Sequence, residues 1–252
     1  MRWPPAPALG LALALAACSP PKNAPPPAST LVVGIDVSGS FRHTPQFDES
    51  IDFAALYIYG HLTGIGGLRP YTAIFVGELG GERPGQPKVF HPIQDLTGLT
   101  PAQIAANIRA WFPQTDPITD FNAFFQRAAV HVKRNNLVLA PLNVVLFSDG
   151  EPDYPGAGRL STDARYERVD LSPLEFLSRN VTVRLLYADP PVAQLWERRV
   201  PRKRVRIWTQ DSQVMRGWRR HMLEGVPLQR QDSLWSWVDK IVDVRVRRGK
   251  IL

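Results

Sequence analysis

The chain has 252 residues, 44% of them hydrophobic and 21% charged, with 24 prolines and one cysteine. That balance excludes a disordered or fibrous chain, and a lone cysteine excludes an internal disulfide framework. The net charge of +7 is unevenly spread: Arg179 to the C-terminus holds 17 Lys/Arg against 7 Asp/Glu, and the rest holds 13 against 16. A basic third fits a solvated face, anionic lipid or an acidic partner, and nucleic acid least, because no aromatic-interleaved basic motif accompanies it.

The chain opens with Arg2 and an apolar run from Ala6 to Ala17. That run is too short for a bilayer, which takes about 20 residues, and has the layout of a secretory signal. Leu15-Ala16-Ala17-Cys18 closes it and resembles a bacterial lipobox. The resemblance implies that residues 1–17 are a signal peptide, cleaved before a lipidated Cys18. Ser19 in place of Asp implies, by analogy with sorting in enterobacteria, the outer membrane, periplasmic or surface-facing. With several acyl chains, each methylene worth about 0.8 kcal/mol on insertion, anchoring would be stable. Residues 18–30 then form a linker. Its Pro20, Pro21, Pro25, Pro26 and Pro27 favour an extended, semi-rigid spacer, and the fold is expected in residues 31–252.

Leu31–Ile35 is an apolar run that reads as a strand buried on both faces, and it ends in Asp36-Val37-Ser38-Gly39-Ser40. In open α/β sheets, ligands bind outside the carboxyl ends of such strands. One carboxylate and two hydroxyls there offer hard oxygens with little charge, which suits an ion of the Mg²⁺ type. The spacing of Ile51, Ala54, Ala55, Ile58 and Leu62 predicts a helix over 47–62. Residues 71–78 predict a second strand, 80–87 a loop and 88–93 a short edge strand. Thr100-Pro101-Ala102-Gln103 predicts a capped helix start, with Pro113 ending that helix. Phe121, Phe124, Phe125, Ala128 and Val132 predict a helix over 121–136, with Thr119 placed as its N-cap. Val144–Phe147 is another buried strand, closed by Asp149-Gly150.

Further on, Ser172-Pro173-Leu174-Glu175 reads as a capping box for a short helix, and residues 181–187 as a strand. Residues 192–199 form a helical turn or two, and residues 204–209 a strand. Ser212 and Ser233 are expected to cap the last two helices. The alternation of Val244 and Val246 with Arg245 and Arg247 suggests a terminal edge strand. Helices alternating with parallel-type strands predict a doubly wound α/β domain, a mostly parallel central sheet with helices on both faces.

Asp36-x-Ser38-x-Ser40, Thr119 and Asp149-Gly150, in this order and these contexts, resemble the metal-ion-dependent adhesion site (MIDAS) of von Willebrand factor A (vWA) domains. The resemblance implies that Ser38, Ser40 and Thr119 supply hydroxyl ligands and that Asp36 and Asp149 supply charge, directly or through water. The metal would be Mg²⁺ or Mn²⁺. An open position would engage an Asp or Glu of an envelope or extracellular partner protein, so the chain would be an adhesion module and not an enzyme. The loop before residue 121 reads Asp116-Pro117-Ile118-Thr119 without the glycine common in the family, which leaves Thr115 as a competitor for Thr119. Two alternatives stand beside this reading. A metal-dependent phosphatase-like hydrolase could use Asp36, but its general acid would fall at Ser38, which cannot serve. A vWA scaffold without a working metal site would use the same residues only to satisfy backbone donors.

Overall fold

A computed structural model describes residues 29–81 and 87–244. Cys18, the signal, the Pro-rich linker to residue 28, most of the 80–87 loop and the tail from residue 245 lie outside the described residues. Six strands form one sheet in the order β3-β2-β1-β4-β5-β6. They are β1 (Thr30–Asp36), β2 (Ala73–Leu79), β3 (His91–Pro92), β4 (Leu142–Phe147), β5 (Val181–Ala188) and β6 (Arg206–Asp211). All neighbours pair parallel except the edge strand β3, which is antiparallel to β2. The doubly wound, mostly parallel fold expected from the sequence is therefore the fold observed.

Among the described residues nine α-helical segments accompany the strands: α1 (Gly39–Arg42), α2 (Phe47–Thr63), α3 (Pro101–Trp111), α4 (Phe121–Arg134), α5 (Thr162–Glu167), α6 (Ser172–Glu175), α7 (Pro190–Arg199), α8 (Ser212–Arg216) and α9 (Asp232–Trp237). Successive side chains of a strand point to opposite faces, so each strand feeds two cores. Leu31, Val33 and Ile35 of β1 pack with Ile51 and Ile58 of α2, Ile104 of α3 and Trp235 of α9. Val32 packs on the other side with Phe124 and Phe125 of α4 and Trp196 of α7. Gly34 sits where a side chain would not fit: a Cβ there would lie 2.8 Å from Phe124 Cζ and 2.9 Å from Leu146 Cδ2. Its absence lets α4 close on β1.

The capping box of α3 forms as expected: Gln103 N–H donates to Thr100 Oγ1 (3.3 Å) and Thr100 N–H to Gln103 Oε1 (2.9 Å). Four other caps differ from expectation. Asp120, not Thr119, caps α4 by accepting from Ala123 N–H (2.9 Å). Asp211, not Ser212, caps α8, while the Ser212 hydroxyl donates to Asp189 (2.6 Å). Ser172 is the first residue of α6 and Ser233 the second of α9, and neither makes a capping bond; α6 stops at Glu175, and α9 runs into a π-turn at Val238–Val242. Glu175, expected to complete a capping box, instead accepts from the N–H groups of Lys203 and Arg204. For α4 and α8 the aspartate one position before or after the expected residue takes the free N–H groups, and loop geometry decides between them. The expected 88–93 strand shrinks to His91–Pro92, and α1 and α5 were not expected.

Candidate metal centre

The order of the sheet reverses between β1 and β4: β1 leads to β2 on one side of that seam and β4 to β5 on the other. Such a switch point opens a crevice at the carboxyl ends of the strands. Asp36 ends β1, and Ser148, Asp149 and Gly150 follow β4 there. A third loop is sewn to the first by backbone: Asp116 N–H donates to Val37 O (2.9 Å) and Gly39 N–H to Asp116 O (3.2 Å). The second and third loops meet where Asp153 N–H donates to Thr119 O (3.0 Å). The resulting cleft, about 510 Å³, is lined by Ser38, Ser40, Thr115, Thr119, Glu151 and Arg165 among others.

The sequence-selected residues take distinct places. Asp36 is fully buried; its Oδ1 accepts from Ser38 N–H (2.8 Å) and its Oδ2 from the Ser148 hydroxyl (2.5 Å). Ser38 Oγ, itself buried, shares a hydrogen bond with the exposed Ser40 Oγ (3.1 Å). The Ser40 hydroxyl lies close enough to the Asp149 carboxyl to favour its charged form. Thr119 is buried, is released from capping by Asp120, and lines the same cleft as both serines, as does Thr115.

Both carboxyls are uncomfortable as anions. Burial pushes Asp36 above the ordinary aspartate value, and the hydrogen bonds from Ser148 and Ser38 do not cancel it. Burial, then the charge of Asp36, pushes Asp149 up to about 7. Neither has an ion-pair partner among the described residues. Two adjoining carboxylates with hydroxyls beside them and no ion-pairing cation among the described residues are a donor set that fits a small hard divalent ion. Among the described residues no three His, Cys, Asp or Glu side chains converge as a metal-holding group. An ion here would therefore depend on hydroxyls as well as carboxylates.

Ser148, Asp116 and Lys88 support the site without a role legible in the sequence, and Gly150 gains one beyond its turn. Ser148 holds Asp36 and also accepts from Gly150 N–H (2.9 Å), tying the β1 and β4 ends together. Its position between a strand and Asp149-Gly150 was the available signal. Gly150 has φ +81°, and a Cβ would meet Leu185 Cδ2 at 2.5 Å; its carbonyl accepts from buried Trp196 Nε1 (2.7 Å). Asp116 forms a buried ion pair with Lys88 (2.6 Å), and Lys88 also reaches Glu78 (3.3 Å). No local pattern pairs residues 88 and 116.

No protein-family model matches this chain, and no curated protein matches it in sequence. Among solved structures it is similar to the pilus adhesin SpaC from Lactobacillus rhamnosus GG, with 11% identity and a TM-score of 0.53 over 85% of this chain and 30% of that one. It is also similar to the SpRpn10 vWA domain, with 11% identity and a TM-score of 0.40 over 81% and 93% of the two chains. A third similarity is to proximal thread matrix protein 1 from the mussel byssus, solved with a zinc-occupied MIDAS motif, with 15% identity and a TM-score of 0.44 over 84% and 47%. The chain spans less than half the length of SpaC or the byssus protein. At these identities the likeness is one of fold alone: an α/β sheet with flanking helices.

Proposed function

We propose that the chain is a divalent-metal-dependent protein-binding module, anchored in the bacterial cell envelope by a lipid on Cys18. In this reading residues 1–17 are the signal, 18–30 the lipidated linker and 31–252 the binding domain, with the outer membrane as its site. The observation that carries the reading is the Ser38–Ser40 hydroxyl pair beside buried Asp36 and Asp149, two carboxyls raised chiefly by burial, Asp149 also by the charge of Asp36, with no ion-pair partner among the described residues. Ser38, Ser40 and Thr119 would hold Mg²⁺ or Mn²⁺ through hydroxyls, with Asp36 and Asp149 supplying charge. A bound ion would supply a Lewis-acidic position for a partner's Asp or Glu side chain. Asp36 keeps the Ser38 loop and Ser148 in place through its two occupied oxygens. Arg165, on the cleft wall, offers an incoming carboxylate a positive charge. The partner is an envelope or extracellular protein.

A hydrolase reading is disfavoured by the same atoms. A nucleophilic Asp36 would have to present an oxygen to the cleft, yet it is fully buried with both oxygens engaged. The position of the general acid is Ser38.

The test is thermal. At a hundredfold excess over Kd, a bound ion stabilises by about 2.7 kcal/mol, which raises Tm by about 5–10 °C for a domain of this size. Mg²⁺ or Mn²⁺ should produce that shift, and EDTA should reverse it. Asp36→Ala, expected to lower the metal-free Tm by leaving the Ser38 and Ser148 donors unpaired, should show no shift with metal. A melting curve indifferent to millimolar metal would leave a scaffold without a working site. A pull-down from envelope extract, lost with EDTA and with Asp36→Ala, would establish the binding role.

A further inference from the structure

The end of the sheet opposite the candidate metal centre carries an unusual surface. Thr30, Leu142 and Val181 start their strands in register there, and Arg206 pairs with Thr182 one step along. Thr30 N–H donates to Pro141 O (2.9 Å) and Leu142 N–H to Asn180 O (2.9 Å), so the loops entering β1, β4 and β5 lie side by side.

Two of these loops present large apolar side chains to water. Leu139 is 78% exposed and Phe176 75% exposed, the two highest values for large hydrophobic residues among those described. They are neighbours through Leu139 N–H, which donates to Leu177 O (2.6 Å). Leu139 is held at φ +76°, a region leucine seldom enters, and Val138 beside it is also exposed.

Next to them Arg179, Arg204 and Arg206 line a cleft of about 450 Å³ with Asn180. No carboxylate lines it. Arg206 Nε is buried and has no hydrogen-bond partner among the described residues, while its Nη2 donates to Asn180 Oδ1 (3.2 Å). The nearest acid, Glu175, is buried behind the cleft and accepts from two backbone N–H groups, which fixes the loop that carries Arg204. Three planar guanidinium forks around one cleft suit bidentate hydrogen bonds to the oxygens of a phosphate.

We propose that this edge is a membrane-docking face, with Phe176 and Leu139 entering the headgroup–acyl boundary and the arginine cleft receiving the phosphates of anionic phospholipid. Apolar side chains flanked by basic ones are the composition of interfacial contact. The position of the chain's entry supports the same occupant. Residues 19–28, between Cys18 and the first described residue, reach at most about 35 Å when fully extended. Ser29 enters β1 at this same edge, which keeps the face near whatever membrane the N-terminal segment reaches. The carboxyl ends of the strands, with Asp36 and Asp149, then point away from the bilayer toward partners. This inference rests on the fold, the edge residues and the Cys18 anchor of the proposed function, and not on metal binding.

The experiment uses the full chain with Cys18→Ser, which removes lipidation, in co-sedimentation with vesicles. Phosphatidylcholine vesicles are compared with vesicles that also contain phosphatidylglycerol. The protein should bind the anionic vesicles selectively, with or without EDTA, and salt should weaken binding. Arg179→Gln with Arg204→Gln should lower the partition by more than about tenfold. Phe176→Ser should lower it without changing the salt dependence. All three residues are exposed, so an unchanged melting temperature certifies that each variant is folded. Equal binding to the two vesicle types, as the Ala6–Ala17 run alone would give, overturns the proposal. So does wild-type partition by the double arginine variant. Binding of inorganic phosphate with no vesicle partition assigns the cleft to a soluble anion and overturns it as well.

Discussion

Asp149 decides how the site responds to pH. Its carboxyl is pushed to about 7, against an ordinary 3.8, first by burial and then by Asp36. A raised carboxyl pKa means that the folded, metal-free protein keeps a proton the unfolded chain has lost. Its contribution therefore favours folding below pH 3.8 and is lost as pH rises through about 7. An ion at this site must displace that proton, so its affinity should climb as pH rises to about 7 and then level off. Calorimetric Mn²⁺ titrations in buffers of different ionisation enthalpy should detect proton release below pH 7 and almost none above it. Asp149→Asn should raise metal-free stability near neutral pH and remove the proton release. Sequence alone placed residues 36, 38, 40, 119 and 149 at loop positions where side chains are free to do chemistry. It could not say that Ser148 would hold Asp36, because that bond joins the ends of two strands that are distant in the chain.

At the scale of the element, caps separate what local sequence determines from what it leaves open. Thr100, Pro101 and Gln103 lie within one turn, and their reciprocal bonds form whatever the rest of the chain does. Thr100→Ala should destabilise by about 1 kcal/mol, seen as a lower Tm or a lower urea midpoint. Ser233 looks like a cap in sequence, but it sits inside α9 and makes no capping bond. Ser233→Ala should change stability by less than about 0.5 kcal/mol. The β1–α4 contact is a sharper case. Gly34→Ala would drive a methyl into Phe124 and Leu146, and overpacking of that kind costs about 1–3 kcal/mol. The loss should appear mainly as a lower denaturation midpoint at unchanged slope. A glycine inside an apolar run reads as an ordinary strand residue until the facing helix is known.

Across the whole molecule, the last helix is tied to the sheet by a buried polar network. Asp243 accepts from Tyr57 Oη (2.7 Å) and contacts His61 Nε2 (2.8 Å), while Arg184 in β5 donates to the carbonyls of Val242 and Asp243. Burial alone would raise the Asp243 pKa, but His61, Arg184 and the Tyr57 hydroxyl together hold it below 3.8. A depressed carboxyl pKa stabilises the fold at pH above 3.8, and the contribution is lost as pH falls through the lower folded value. Asp243→Asn should flatten the acid limb of a stability-against-pH curve and leave the slope near neutrality to Asp149.

The sequence by itself determined the parallel strands, the three long helices and the class of fold, but not the extent of the edge strand β3. These follow from apolar periodicity and from glycine and proline punctuation, which act within a few residues. It also marked the loops that bear hydroxyls and carboxylates. Tertiary structure alone decided that three of those loops meet at one crevice, that Lys88 pairs with Asp116 across 28 residues, and that arginines and exposed apolar side chains share the opposite edge. Strand order and register fix such meetings, and both are set by packing between segments far apart in the chain, which leaves no periodic trace in any one of them.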